Sequence, residues 1–396
     1  MENTQTVHVL FGRGFRPFFL LSGFQAVLAI AVWLGVLRGK GPMPGWPSAI
    51  AWHAHEMVFG FAGAAIAGFL LTSVPVWTGR PALAGARLAA LAGLWLTGRF
   101  AVFFTGALPS AWIAAAIDAA FFATLALTTG VPIFSSRSHR NYAFPLLAGA
   151  LALANVLTHA GAMGLWPEAG AAGMRLAVGC VVIVVATIGG RLVPLFTRAA
   201  IKRGGVTQEV TVLPWADAAT APLVGAFVLA DTLAPGTQVS GLLALVAGAV
   251  IALRTKGWAL RFALRDPLLW SMHVAYLWIP TGLVAIGASA FSDAVPRNIA
   301  LHALTTGAIG GMILAIMTRV ALGHTGRPFR APRGIALAYG LVLAAALART
   351  FAPLFVPSAM GSLLLISGAS WISAFTIFLA VYTPYLISPR VDGKPG

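Results

Sequence analysis

The sequence predicts an all-α integral membrane protein with twelve transmembrane helices. Hydrophobic residues make up 59% of its 396 residues and charged residues only 9%, whereas soluble domains carry about 25% charged residues. The net charge of +16 does not indicate nucleic-acid binding, because the basic residues stand singly or in small groups between apolar segments. The predicted surrounding of the chain is therefore a lipid bilayer.

Twelve apolar segments approach or exceed the roughly 20 residues that a helix needs to cross a bilayer. The loops between them are short, so residues 1–396 are predicted to form a single polytopic domain. The predicted spans are 16–37, 53–77, 83–104, 110–130, 142–162, 173–196, 214–233, 238–254, 267–289, 299–320, 334–355 and 360–386.

The basic residues predict the orientation. An even number of spans places both termini on one side, and the positive-inside rule makes that side the cytoplasm. With this orientation all but six of the 26 Lys and Arg residues lie on the inner side, the six being Arg38, Lys40, Arg99, Arg175, Arg297 and Arg349.

The segment from Trp52 to Pro81 carries the first candidate site. His53, His55 and Glu56 open a long apolar helix, and ionisable groups at the mouth of a membrane helix cost free energy unless something holds them. The two histidines are two residues apart, which turns them about 200° from each other on a helix, so different partners are predicted. Glu56 is placed either to orient a ligating imidazole or to move a proton.

Histidines from two further predicted helices lie at the same outer depth. His159 ends helix 5, and His302 lies one turn into helix 10. Histidine is the commonest metal ligand and a usual haem ligand. The common depth of these four histidines therefore predicts a metal or haem site formed by His159 and His302 with His53 and His55. The alternatives are an interfacial role for His53 and a structural role for His159.

Two more residues are candidates for the same chemistry. His273, near the inner end of helix 9, is either a second metal site or a core histidine with a hydrogen-bonded partner. Arg99 on helix 3 lies at the depth of Asp118 on helix 4, so the sequence predicts a structural ion pair between them. The alternative is that Arg99 contacts a haem propionate.

An internal repeat relates helices 2 and 10. Both end in T-G-R-P, at 78–81 and 325–328, and the alignment places His55 on His302. Helix 6 matches less well. The period of four helices predicts three four-helix units around a pseudo-threefold axis; the alternative is chance, since small residues are common in membrane helices.

Three blocks of the sequence resemble the NnrS family, and the similarity covers essentially the whole chain. They are GFRPFFLLSG at Gly14–Gly23, WHAHEMVFGFAGAAIAGFLLTSVPVWTG at Trp52–Gly79 and HALTTGAIGGMILAIMTRVALGHTGRP at His302–Pro328. The resemblance implies a bacterial inner-membrane protein of nitric oxide metabolism that contains haem and copper and is linked to protection from nitrosative stress.

The helix count and the four-helix period are also similar to those of the catalytic subunit of haem-copper oxidases. In that subunit, histidines of helices 2 and 10 ligate a haem near the outer face, which here selects His55 or His53 with His302 as the axial pair. The oxidases also place histidines on helices 6 and 7, where this chain has none. Any copper would therefore use His53, His159, His273 or Met57.

The leading functional prediction is a protein that binds or converts nitric oxide or iron-nitrosyl species at a histidine-ligated metal site. The haem would be haem b, because the chain has no C-x-x-C-H motif for covalent attachment. Conversion would make the protein an oxidoreductase that needs a redox donor. The alternatives are a transporter of a metal, haem or small anion with histidines along its path, and a signalling or assembly factor.

Overall fold

Lipid offers no hydrogen-bond partners to backbone N–H and C=O groups, so apolar segments of membrane length fold as helices. The computed structural model describes residues 9–394, and all regular secondary structure in that range is helical. Eleven helices of the described range are long and apolar enough to cross a membrane. The chain is therefore a polytopic membrane protein, as its composition predicts.

The long helices are numbered in chain order, and short helical turns at Thr105–Ala107, His139–Asn141, Leu260–Ala263, Ala352–Phe355 and Pro357–Ala359 lie between some of them. The long helices are α1 (Phe15–Leu37), α2 (Ala49–Thr78), α3 (Gly85–Phe103), α4 (Ala111–Ser135), α5 (Ala143–Ala162), α6 (Pro167–Arg203), α7 (Pro214–Leu233), α8 (Gln238–Arg254), α9 (Pro267–Ala288), α10 (Arg297–His324), α11 (Ile335–Arg349) and α12 (Met360–Ile387).

Each predicted span overlaps one of these helices, although the count of twelve membrane spans is not confirmed. The helix that is not among the eleven is α8, which has 17 residues, whereas α11 continues through the turn at Ala352–Phe355 to a span of 21 residues. The largest difference in boundaries is at α6, which runs from Pro167 to Arg203 instead of 173–196. Its last turn contains Lys202 and Arg203, whose positive charges stabilise the negative end of the helix dipole.

The chain divides into two compact units, and each combines distant parts of the sequence. Both the predicted single domain over residues 1–396 and the predicted threefold arrangement stay predictions. In unit 1, α1 packs on α2 and α4 packs on α5, whereas in unit 2 α8 packs on both α7 and α9. Unit 1 comprises Met1–Cys180, Met317–Phe329 and Phe378–Gly396, and unit 2 comprises Val181–Ile316 and Arg330–Ile377.

Two helices contain a π-helical segment that begins directly after a histidine. In α2 the segment Glu56–Ala62 follows His55, and in α10 the segment Ala303–Gly310 follows His302. π-helical turns are rare and are frequent at functional sites. The sequence repeat between α2 and α10 thus extends to backbone conformation at the two aligned histidines, while α6, its third predicted member, is α-helical throughout.

The same two helices also end alike. Gly79 and Gly326 follow α2 and α10 with φ angles of +68° and +74°, a conformation that glycine adopts without a steric penalty. The T-G-R-P motif therefore marks the end of both helices. The number of residues between the histidine and this motif is the same in α2 and in α10.

Candidate metal centre

The first turns of α2 place its two histidines in different surroundings. Ser48 caps the helix, and its Oγ accepts a hydrogen bond from the Ala51 N–H at 3.1 Å. His53 stacks on Trp33 of α1 with ring centroids 4.8 Å apart and an interplanar angle of 18°. His55 is instead fully buried. The two imidazoles thus have different neighbours, as their spacing predicts.

Three potential metal ligands converge below this turn: His55 of α2, Asp118 of α4 and His159 of α5. Asp118 Oδ2 lies 3.1 Å from Nε2 of His55 and 3.1 Å from Nε2 of His159. One ligand atom from each residue lies within 4.8 Å of the others, and all three residues are buried. Two imidazole nitrogens and a carboxylate oxygen form a donor set that suits iron, copper or zinc.

Arg99 of α3 joins two carboxylates in this cluster. It donates from Nη1 to Glu56 Oε1 at 2.6 Å and from Nη2 to Asp118 Oδ1, so the predicted Arg99–Asp118 ion pair is present. Gln25 of α1 donates to Glu56 Oε2 at 2.6 Å. If both histidines are neutral, two carboxylates face one guanidinium, and one negative charge is left uncompensated in a buried site.

The ring of His55 faces a carboxylate oxygen on both sides. Its Nδ1 lies 3.1 Å from Glu56 Oε1, and its Nε2 lies 3.1 Å from Asp118 Oδ2. A neutral imidazole has only one N–H to donate, so its other nitrogen would present a lone pair to a negative oxygen. That contact is favourable only with a cation in place. One additional positive charge would therefore stabilise the cluster, and either a proton on an imidazole or a metal ion can supply it.

Asn155 and Trp46 close the cluster. The Nδ2 of Asn155 donates to Asp118 Oδ2 at 2.8 Å, and its buried Oδ1 has no hydrogen-bond partner within residues 9–394. Trp46, in the loop before α2, contacts both imidazoles, with its ring tilted to that of His55 at a centroid distance of 4.8 Å and edge-on to that of His159 at 4.9 Å. A hydrogen bond of 2.9 Å from the Gly45 N–H to the Phe103 carbonyl holds this loop. The indole is itself buried, so it packs against both ligating imidazoles inside the protein.

Two further predicted ligands, His273 and His302, belong to unit 2, and each has its own hydrogen-bond partner. His273 of α9 has its Nε2 2.9 Å from Thr197 Oγ1, and Trp258 contacts its ring edge-on. His302 of α10 has its Nδ1 2.6 Å from the Asn298 carbonyl oxygen. The metal role of His273 and the axial pairing of His302 with His53 or His55 stay predictions.

Within the described part of the chain, one group of at least three His, Cys, Asp or Glu residues is close enough to share a metal ion, namely His55, Asp118 and His159. The sequence assigned Asp118 only to its ion pair with Arg99. Asn155 was missed, although it lies four residues before His159 and therefore on the same helix face. Trp46 lies in a loop, where no periodicity marks it.

The helices and the cluster together define a class of protein, a polytopic membrane protein with a buried histidine–carboxylate centre. The family model described as NnrS protein matches residues 9–390. The chain belongs to the NnrS family, as the three sequence blocks predict. None of the curated proteins matches it.

Proposed function

We propose that the protein is a metalloprotein of the bacterial inner membrane that binds or converts nitric oxide or iron-nitrosyl species and protects against nitrosative stress. Membership of the NnrS family supports this role. The structural observation that carries the proposal is the convergence of His55, Asp118 and His159. The excess of basic residues in one set of loops supports cytoplasmic termini.

Each residue of the cluster has a distinct role in this proposal. His55 and His159 would hold the ion through Nε2 and Asp118 would hold it through Oδ2, because these atoms face one another. Glu56 accepts a hydrogen bond from Nδ1 of His55, which keeps the lone pair on Nε2. Arg99 compensates one of the two carboxylates. An iron or copper ion held here would supply coordination positions for nitric oxide and a one-electron redox change.

The proposal places no haem at His55. Both nitrogens of this imidazole face carboxylates, and the glycine face of α2 below it is filled by neighbouring helices. A Cβ atom on Gly63 would lie 2.8 Å from the ring of Phe122, and one on Gly68 would lie 2.8 Å from the ring of Phe19. This face therefore serves close helix packing. The residues at His55 fit a single metal ion.

His302 fits a haem ligand better. Its Nδ1 points at the Asn298 carbonyl oxygen, so Nδ1 carries the proton and Nε2 keeps the lone pair for iron. Arg349 lies on α11, which packs on α10, and its buried Nη1 has no hydrogen-bond partner within residues 9–394. A guanidinium in this position suits a haem propionate. The proposal therefore includes haem b, which His302 would hold.

The substitution His302→Ala is expected to remove the haem while membrane insertion and the ion at His55 are retained. One residue contributes little to the insertion of so many apolar helices, but no other group replaces the imidazole as ligand. The haem is measured from the reduced-minus-oxidised absorbance spectrum of the purified protein. The matched control is His139→Ala, since His139 is exposed. A normal haem content in His302→Ala would contradict the assignment.

The substitution Glu56→Gln is expected to lower the affinity of the cluster for its metal ion by about 10- to 100-fold. The amide no longer provides a charged acceptor for Nδ1 of His55, and the cluster loses the negative charge that favours a cation. A competition titration with a chelator measures the affinity, and Glu168→Gln, at an exposed residue, is the control. Equal affinities in the two variants would refute this role of Glu56.

The proposed function is tested by total iron and copper together with absorbance spectra of the oxidised, reduced and NO-treated protein. Bound iron or copper and a spectral change with nitric oxide are the expected results. A protein without haem or metal, produced with adequate supplies of both, would exclude the proposal and favour the transporter alternative. If nitric oxide is converted, steady turnover will also require a redox donor.

A further inference from the structure

At one end of unit 1, Arg16 at the start of α1 forms hydrogen bonds with the end of α12. Its Nη1 donates to the carbonyl oxygens of Leu386 and Ser388, at 2.7 and 2.8 Å. The side chain is only 1% exposed. These carbonyls are the negative end of the α12 dipole, so this contact is favourable. The Nε of Arg16 is nevertheless buried without a hydrogen-bond partner in the described range.

Two more arginines meet at the same end. Arg327, just after α10, lies over the ring of Tyr385 with its guanidinium carbon 4.1 Å from the centroid. Arg390, after α12, donates from Nη1 to the carbonyl oxygen of His324 at 2.9 Å. The Val391 N–H donates to the Thr325 carbonyl at 3.1 Å and holds the segment after α12 against the end of α10.

Within residues 9–394, Asp392 is the acidic residue beside these arginines, and it forms an ion pair with Arg390. Nε and Nη2 of Arg390 donate to its two carboxylate oxygens at 2.8 and 2.5 Å. These hydrogen bonds lower the pKa of Asp392 to about 2, so the carboxylate is charged at neutral pH and balances Arg390.

Arg13, Arg16 and Arg327 are left with surplus positive charge. Arg13 lies one turn before Arg16, and its carbonyl oxygen accepts a hydrogen bond from the Arg16 N–H at 3.1 Å. The positive charges of Arg16 and Arg327 repel each other. No ion pair joins any of the three to an acidic residue within residues 9–394. The Nη1 of Arg327 is also buried without a hydrogen-bond partner in that range. Unsatisfied, buried N–H groups of like charge are costly, and an anion would relieve both costs.

We propose that Arg13, Arg16 and Arg327 bind a phosphate group, and that it is the headgroup phosphate of an anionic phospholipid. Planar guanidinium groups bind phosphate oxygens with strong, charge-assisted hydrogen bonds. The three residues lie at the ends of membrane-length helices, the level at which headgroups lie. The predicted orientation puts them at the cytoplasmic leaflet. This site is separate from the proposed metal centre and does not depend on it.

The experiment compares lipid binding by the full-length protein in mixed micelles that contain phosphatidylglycerol or phosphatidylethanolamine. Native mass spectrometry measures the bound lipid. The wild-type protein is expected to retain phosphatidylglycerol in preference to the zwitterionic lipid. The variant Arg327→Gln is expected to bind phosphatidylglycerol about fivefold more weakly, the effect of one basic residue at a membrane surface. Arg87→Gln, at an exposed arginine at the start of α3, is expected to bind like the wild type.

The outcomes separate the possible sources of the phosphate. Retained phosphatidylglycerol that millimolar inorganic phosphate does not displace supports the lipid headgroup, whereas displacement would overturn it in favour of free phosphate. Equal weakening by Arg327→Gln and Arg87→Gln would refute a specific site. If Arg327→Gln does not fold, Arg327→Lys keeps the charge and removes the fork. The absence of any preference for phosphatidylglycerol in the wild type would refute the proposal without a variant.

Discussion

Replacing His159 with alanine is expected to remove the metal ion from the purified protein, to below about a tenth of the wild-type content. Loss of a supporting group already costs about 10- to 100-fold in affinity, and His159 provides one of the donor atoms itself. The small alanine side chain leaves Asp118 and His55 as two ligands in a buried site. Total metal per chain, measured by mass spectrometry after extensive dialysis, gives the result directly.

The control for this prediction is His139→Ala, at an exposed histidine outside the cluster, which is expected to retain the wild-type metal content. Asp118→Asn provides an independent comparison, because it keeps the shape of the side chain and removes the charge that attracts the cation. A His159→Ala protein that folds and keeps its metal would exclude the cluster as the binding site. A wild-type protein without metal would refute the proposed metal site.

The positions of the helices could be predicted because hydropathy and length alone decide which segments enter a bilayer. The boundaries were harder, because a helix continues past its apolar part until a residue stops it. This is why α6 extends to Arg203. At α8, with 17 residues, length and hydropathy do not lead to one answer.

The cluster could be predicted only in part, because depth can be counted along a helix whereas rotation about its axis cannot. His55 and His159 were expected at one level, and the structure brings them together. The position of Asp118 between the two imidazoles depends on how α2, α4 and α5 pack, which a single sequence does not reveal. The sequence indicated only the pairing of Asp118 with Arg99.

The structure also shows different contacts for two histidines that the sequence repeat aligns, His55 and His302. His55 and His302 each precede a π-helical segment, yet their contacts differ. His55 faces carboxylates on both sides of its ring, whereas His302 faces a backbone carbonyl. A π-helical segment thus follows one imidazole that contacts carboxylates and another that contacts a neutral carbonyl. The repeat in backbone conformation does not mean that the two histidines have the same chemical role.

Replacing Arg99 with methionine is expected to lower the free energy of unfolding by about 3–5 kcal/mol, the cost of leaving a buried charge without its partner. Arg99 is 6% exposed, and it donates to both Glu56 and Asp118, which are no more exposed. Methionine preserves much of the side-chain volume, so the loss reports mainly on charge. Equilibrium unfolding in mixed micelles, with metal removed, measures it.

The matched control is Arg297→Met. Arg297 pairs with Asp231, whose side chain is 8% exposed, but Arg297 itself is 36% exposed, so water partly screens this pair and its loss should cost less than the loss of Arg99. Equal costs for the two substitutions would show that Arg99 does not compensate the buried carboxylates. The double variant Arg99→Met/Glu56→Gln should recover part of the loss, because it leaves only one carboxylate uncompensated. Added metal should also stabilise Arg99→Met, since a cation bound only by the folded cluster supplies the missing positive charge.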